Sequence, residues 1–254
     1  MQPGKLITQL GCLVLLGILE ACATTAKDPQ DPWEGWNRGV QIFNDKFDDY
    51  AMKPIAKGYQ WITPSFVDLG VSNFFSNIND VGVTINDLLQ FKIEQTGMDG
   101  SRFIVNTVAG VAGFVDVASM IDLPKHNEDF DQTMGVWGIP SGPYLVLPFL
   151  GPSSPRGVGG LVGDGAMNPI TYFIGTGVAG GLYVLNGVDL RADNLANEKV
   201  ASEAAVDRYA FFKSAYFQQR EYLINDGNMP EDSDLLEIDE EELNQNNLAP
   251  VRPY

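Results

Sequence analysis

The chain has 254 residues, 44% of them apolar and 19% charged, enough for one sizeable core and too apolar for a chain disordered throughout. Lys and Arg number 16 against 33 Asp and Glu, a formal charge of -17 that repels phosphate backbones and argues against nucleic-acid binding. The two cysteines, Cys12 and Cys22, both precede residue 23, and His126 is the one histidine, so disulfide frameworks, Cys/His zinc sites and cysteine nucleophiles are excluded from the remainder.

Residues 1–21 read as a secretory signal, with Lys5 as the positive end and Leu13 to Leu19 as an apolar run too short to span a bilayer. Leu19-Glu20-Ala21-Cys22 has the shape of a bacterial lipobox, with Leu at -3 and a small residue at -1, so Cys22 is the expected lipidation site. Glu20 at -2 is atypical. The competing readings are acylation at Cys12, before which almost no apolar run stands, and a plain signal cut near Ala23. Ala23, rather than Asp, favours the outer membrane, and acyl chains on Cys22 would anchor the protein there through residues 22–30 as a tether.

Asp31 as N-cap, Pro32 at N1 and Glu34 at N3 predict a helix start. Trp36, Val40, Phe43, Phe47 and Tyr50 then form one aromatic stripe on a helix that Pro54 is expected to interrupt. Such a stripe faces either a core or a membrane interface, and Lys46 and Lys53 lie along its edge, where long stems can cover apolar surface. Ser65 with Asp68 predicts a second helix, Asp80 the cap of a third through Gln90, and Thr96 with Asp99 a fourth. From Phe103 to Ile121 the single charge is Asp116, and apolar residues surround the predicted axis, which requires burial or lipid.

Gly142 to Pro152 holds an apolar run, Tyr144, Leu145, Val146, Leu147, Pro148 and Phe149, in which prolines forbid a helix. It is either a buried extended segment or a short apolar hairpin that contacts lipid or a partner. Pro169 to Val188 carries no charge and five glycines, a density that needs close packing or an apolar surround to stay helical. Leu195 to Leu223 predicts a last amphipathic helix, ended by Gly227 and Pro230, and eight of the twelve residues from Glu231 to Glu242 are acidic, predicting a solvated, disordered tail.

No Gly-x-Ser-x-Gly elbow, phosphate loop, dinucleotide fingerprint or His-Glu-x-x-His occurs, so no catalytic residue, metal or cofactor is expected. His126 beside Glu128 and Asp129 reads as an ordinary loop histidine, and Asp45, Asp48 and Asp49 as one solvated helix face.

Asp31-Pro32-Trp33-Glu34-Gly35-Trp36-Asn37-Arg38, Phe43-Asn44-Asp45, Lys53-Pro54-Ile55-Ala56, Gly70 to Asn77, Gly113 to Ala118 and Gly142-Pro143-Tyr144 to Pro148 together resemble the MlaA/VacJ family of outer-membrane lipoproteins. The likeness runs in collinear order over about residues 31 to 222; Trp33 and Trp36 stand where the family usually has Leu and Phe. It implies an all-α, ring-like assembly of amphipathic helices embedded in one membrane leaflet, the inner leaflet of the outer membrane, with a central channel. Such a protein would remove phospholipids that have strayed into the outer leaflet and pass them to a periplasmic carrier feeding an inner-membrane ABC transporter, in association with a trimeric porin and without catalysis. The implied organisation is a signal peptide over 1–21, a lipidated tether over 22–30, a lipid-channel domain over 31–226 and an acidic tail over 227–254. Thr171, Tyr172, Thr176 and Tyr183 are the candidate channel wall or ridge, and Lys46, Lys53 and Arg102 the candidate headgroup contacts. The main alternative is a lipoprotein that scaffolds a porin without moving lipid.

Overall fold

The computed structural model describes residues 28–195 and 207–228; the lipobox with Cys22 and the acidic run from Glu231 lie outside the described residues. Helices dominate: α1 (Glu34–Phe47), α2 (Lys53–Ile62), α3 (Ser65–Leu89), α4 (Ile93–Val108), α5 (Val117–Met120), α6 (Phe130–Val136), α7 (Pro155–Met167), α8 (Ile170–Phe173), α9 (Thr176–Asp193) and α10 (Arg208–Ile224). A two-stranded antiparallel hairpin, β1 (Leu145–Leu147) and β2 (Gly151–Ser153), pairs Leu145 with Ser153 and Leu147 with Gly151. Among the described residues, no helix is long and apolar enough to cross a membrane.

Pro54 does not break the first helix. A π-helical turn over Asp48–Met52 joins α1 to α2, and Pro54 sits in the first turn of α2, where the wider turn absorbs the hydrogen bond that its ring cannot donate. Arg191 of α9 clamps this turn through two 2.6 Å bonds to the Asp48 carboxylate, one from Nε and one from Nη2. Asp31 is likewise not the cap of α1: Trp33 holds that position with no side-chain bond, and the buried Asp31 carboxylate accepts from Asn37 Nδ2 at 2.9 Å and from the Tyr209 hydroxyl at 2.5 Å. It therefore ties the chain start to α10. Asp28 and Gln30, assigned to the tether, are also held, Asp28 by Lys213 at 2.7 Å and the Gln30 carbonyl by the Tyr144 amide at 2.7 Å.

Several expected helix boundaries shift. Ser65 opens α3 behind Pro64 as N-cap, but Asp80 lies buried inside that helix and caps nothing. Helix α4 begins at Ile93 rather than Thr96 and stops at Val108, so Phe103 to Ile121 is not one helix. Val111, Ala112 and Gly113 take positive φ, and at Gly113 a Cβ would lie 2.6 Å from Asn77 Nδ2, so this sharp loop needs glycine at its tightest approach. Asp116 then caps α5 by accepting from the Ser119 amide. Pro169 to Val188 is divided between α8 and α9 at Ile174 and Gly175. The last helix starts at Arg208, and its expected first turns, including Ala201 and Ala205, lie outside the described residues.

The distribution of side chains is inverted. Among the described residues, buried polar and charged side chains outnumber buried apolar ones, while many large hydrophobics stand exposed. The aromatic stripe of α1 shows this directly: Val40 is buried, but Trp36 is 53% and Tyr50 84% exposed. The stripe therefore meets a core at Val40 and stands exposed at Trp36, Phe43 and Tyr50, and large exposed apolar surface in a folded protein marks contact with lipid or a partner. Helices α3 and α4 pack along each other, and α6 against α7, where a Cβ on Gly163 would come within 2.3 Å of the Phe130 ring.

Candidate functional site

A polar cavity opens between α3, α7, α9, α10 and the loop before α6. Its larger part, about 670 Å³, is lined by Asn79 and Gly82 of α3, Asn127 to Asp129, Gln132, Leu161, Asp164 and Gly165 of α7, Asn168, Tyr183, and Gln219, Arg220 and Leu223 of α10. A second part of about 360 Å³ adds Ser72, Phe75, Lys125, Asn186, Asp189 and Asp193. Ile78, Asn79, Asn127, Asn168 and Tyr183 line both, so the two adjoin along a belt of amides crossed by one tyrosine ring. The wall mixes side-chain amides and carboxylates with Ile78, Leu161 and Phe75, a surface able to pass a molecule with both a polar head and an apolar body.

Burial chiefly raises the Asp164 carboxyl to about 6, with Asp129 adding to the rise and the Phe130 amide, donating at 2.9 Å, opposing it. Burial also raises Asp193, helped by the charges of Asp189 and Asp68. The buried Asp189 accepts from the Tyr59 hydroxyl and from Ser72 Oγ, both at 2.9 Å, and burial together with that bond holds the Tyr59 hydroxyl above its ordinary range. The two cations at the cavity are each paired with carboxylates. Lys125 pairs with Asp80, while Arg220 bonds Asp129 at 2.6 Å and lies 3.2 Å from Asp131. Burial works against the Arg220 charge, but those carboxylates outweigh it and raise its pKa.

Of the candidate wall residues, Tyr183 stands at the junction of the two parts, and its hydroxyl lies 3.2 Å from Thr171 Oγ1, which donates to the Gly165 carbonyl at 2.8 Å. Tyr172 is 67% exposed, with its hydroxyl on the Ala166 carbonyl, and Thr176 opens α9 on the surface; neither lines the cavity. Lys46 is exposed in the last turn of α1, and Lys53 is 3.5 Å from Asp49.

Arg102 corrects the sequence expectation most clearly. It is only 1% exposed, its Nη2 donates to both Asp116 oxygens at 3.0 Å, and its Nη1 donates to the Leu123 carbonyl at 2.6 Å. A guanidinium buried inside the fold and bonded through Nη1 and Nη2 cannot reach a headgroup, so its role is to hold α4 to the loop at Asp116.

The apolar hairpin is neither wholly core nor wholly surface. Tyr144 and Val146 are buried against Val40, Tyr209 and Tyr216, whereas Leu145 and Leu147 are partly exposed and Phe149 and Leu150 at the tip are 62% and 67% exposed. Strand alternation separates the two sets. At the tip Phe149 has positive φ, and its ring meets Phe43 and Phe47 edge-on at 5.1 and 4.9 Å.

Sequence reading missed Asp164 and the amide belt. Asparagines recur through the apolar stripe of α3, at Asn73, Asn77, Asn79 and Asn86, and such residues are unfavourable in helix interiors unless they meet polar partners. That recurrence was the available signal.

Comparison with known proteins shows what the whole chain is similar to. The profile of a family described as MlaA lipoprotein matches residues 29–223. The intermembrane phospholipid transport system lipoprotein MlaA of Escherichia coli K12 is 32% identical over 227 residues, covering 87% of this chain and 88% of the relative. The protein of that description from Haemophilus influenzae is 32% identical over 244 residues, covering 92% and 97%. A solved structure described as the structural basis for maintenance of bacterial outer membrane lipid asymmetry superposes with a TM-score of 0.68 at 30% identity, covering 77% of this chain and 99% of the other.

Proposed function

Because the chain belongs to the MlaA lipoprotein family, we propose that it is an outer-membrane lipoprotein of an intermembrane phospholipid transport system, which clears mislocalised phospholipid from the outer leaflet. In this reading Cys22 carries the acyl anchor, the helices lie as a ring in the periplasmic leaflet beside a trimeric porin, and the cavity around Tyr183 is the lipid passage. Lipid leaves to a soluble periplasmic carrier that feeds an inner-membrane ABC transporter.

The supporting observation is the inverted side-chain distribution: exposed apolar residues outside, and a polar cavity inside. An apolar exterior is stable in lipid, where no water penalises it, and a polar interior passage gives a headgroup partners while it crosses. The protein makes and breaks no bond in the lipid. Its wall supplies amides, carboxylates and aliphatic groups, and the sequence has no nucleophile elbow.

Gly82 and Gly165 offer the test. Both line the cavity, and a Cβ built on either meets nothing within 4 Å, so a bulky side chain there should obstruct the passage without disturbing the fold. Gly82→Trp and Gly165→Trp should remain in the outer membrane yet fail to clear outer-leaflet phospholipid in a deletion strain. Full clearance by both folded variants would favour the scaffolding alternative.

A further inference from the structure

We propose that the passage selects phospholipids by the charge and hydrogen-bonding capacity of the head, preferring a primary ammonium, as in phosphatidylethanolamine, over anionic heads such as phosphatidylglycerol. This deepens the lipid-passage reading and rests on it.

The cavity combines unneutralised negative charge with unmet acceptors. Lys125 and Arg220 are each paired with carboxylates, so neither offers a free positive charge. Asp164 and Asp189, by contrast, form no ion pair with any Lys or Arg among the described residues, and the Arg220 charge acts on Asp164 only beyond ion-pair distance. Asp164, raised to about 6, is still mostly ionised at neutral pH.

Gln132 is an independent observation at the same wall. It is 3% exposed, and its Nε2 donates to Glu128 at 2.9 Å and to the Asn127 carbonyl at 3.5 Å, while its Oε1 receives no donor among the described residues. An amide oxygen of a cavity-lining residue that bonds none of the described residues is open to a donor from an occupant.

A primary ammonium brings three N–H donors and a positive charge, which match an acceptor-rich wall with surplus carboxylate. An anionic head meets like charge and no free cation, and such repulsion is an effective source of selectivity. A quaternary choline head carries the charge without N–H donors and ranks between the two.

The experiment is native mass spectrometry of the full-length lipoprotein, purified in mild detergent after loading from vesicles of equimolar phosphatidylethanolamine, phosphatidylglycerol and phosphatidylcholine. Bound phosphatidylethanolamine should exceed phosphatidylglycerol by about fivefold, the scale of one charge-assisted hydrogen bond after screening. Asp164→Asn keeps an acceptor for the Phe130 amide and should shift the ratio toward that of the vesicles. Asp193→Asn, on an exposed residue of the second part, leaves the packing untouched and should shift it in the same direction. Bound lipid in the vesicle ratio, or an excess of phosphatidylglycerol, would overturn the headgroup inference and leave the transport reading standing. An unchanged ratio in both folded variants would overturn the assignment to these carboxylates. Absence of any bound phospholipid on the folded wild type would overturn the transport reading itself.

Discussion

Asn37 and Asn44, seven residues apart on one face of α1, each use both ends of the side-chain amide to hold the β1 segment. Asn37 Nδ2 donates to the Tyr144 carbonyl at 2.9 Å and its Oδ1 accepts from the Val146 amide at 2.8 Å. Asn44 Nδ2 donates to the Leu147 carbonyl at 2.9 Å and its Oδ1 accepts from the Phe149 amide at 2.7 Å. Two side chains thus replace the neighbouring strand that β1 lacks on that edge. Asn37→Ala should lower stability by about 2 to 3 kcal/mol, because it strands buried backbone groups. Asn44→Ala, nearer the surface, should chiefly expose the Leu147 to Leu150 tip to protease. Thermal unfolding in detergent and limited proteolysis separate the two effects.

Arg102 joins Asp116 and lies 3.9 Å from Asp80, all from different parts of the α3, α4 and α5 region. Arg102→Met should destabilise the fold by about 3 to 5 kcal/mol, since it strips Asp116 of its counter-charge and leaves the buried Asp80 with Lys125 alone. Arg102→Lys should recover only part of that, because one ammonium cannot reach Asp116 and the Leu123 carbonyl at once as two guanidinium nitrogens do. Chemical denaturation measures both; a stable Arg102→Met protein with impaired lipid binding would restore the headgroup role.

Stability should depend on pH in two opposite senses. Burial, then the charges of Asp99 and Glu128, raises Asp87 to about 7, so its contribution is full below the unfolded value of 3.8 and is lost as pH rises towards 7. Asp164, raised to about 6, acts in the same direction. For Asp116 burial opposes ionisation, but donors from Ser119, Asn106 and Arg102 outweigh it and lower the pKa to about 2. Its contribution is present above 3.8 and lost as pH falls through about 2. Melting temperature measured across this range should therefore peak at about pH 4, where Asp116 is ionised while Asp87 and Asp164 remain protonated, and Asp87→Asn should flatten the decline towards neutrality. A slope unchanged by Asp87→Asn would refute its assignment.

Val146→Asp and Leu150→Asp should fail differently. Val146 is 1% exposed against Tyr144 and α10, so an aspartate there should unfold the hairpin region and bring degradation. Leu150 is 67% exposed at the tip, where an aspartate should leave a protease-resistant protein but weaken membrane insertion by about 2 to 3 kcal/mol if the tip lies at depth in lipid. Outer-membrane fractionation together with proteolysis of both variants checks this.

The helical class and the proline-bounded hairpin were legible along the chain, because each depends on neighbours within a few residues: 3.6-residue periodicity and proline's missing donor. The boundaries within Ser65 to Ile121 were not. Asp80 and Asp99 look like caps locally, yet α3 and α4 lie side by side and bury both as partners of Lys125 and His126. The same limit hid Arg102, whose counter-charges stand 22 residues before it and 14 after it. It also hid the cavity, whose wall draws Asn79, Gln132, Asp164, Tyr183 and Arg220 from five separate segments. Local propensity acts through backbone geometry and is written in consecutive residues, whereas whether a charge is buried, paired or left facing a cavity depends on which distant groups the packed helices bring within a few ångströms, and only the tertiary structure decides that.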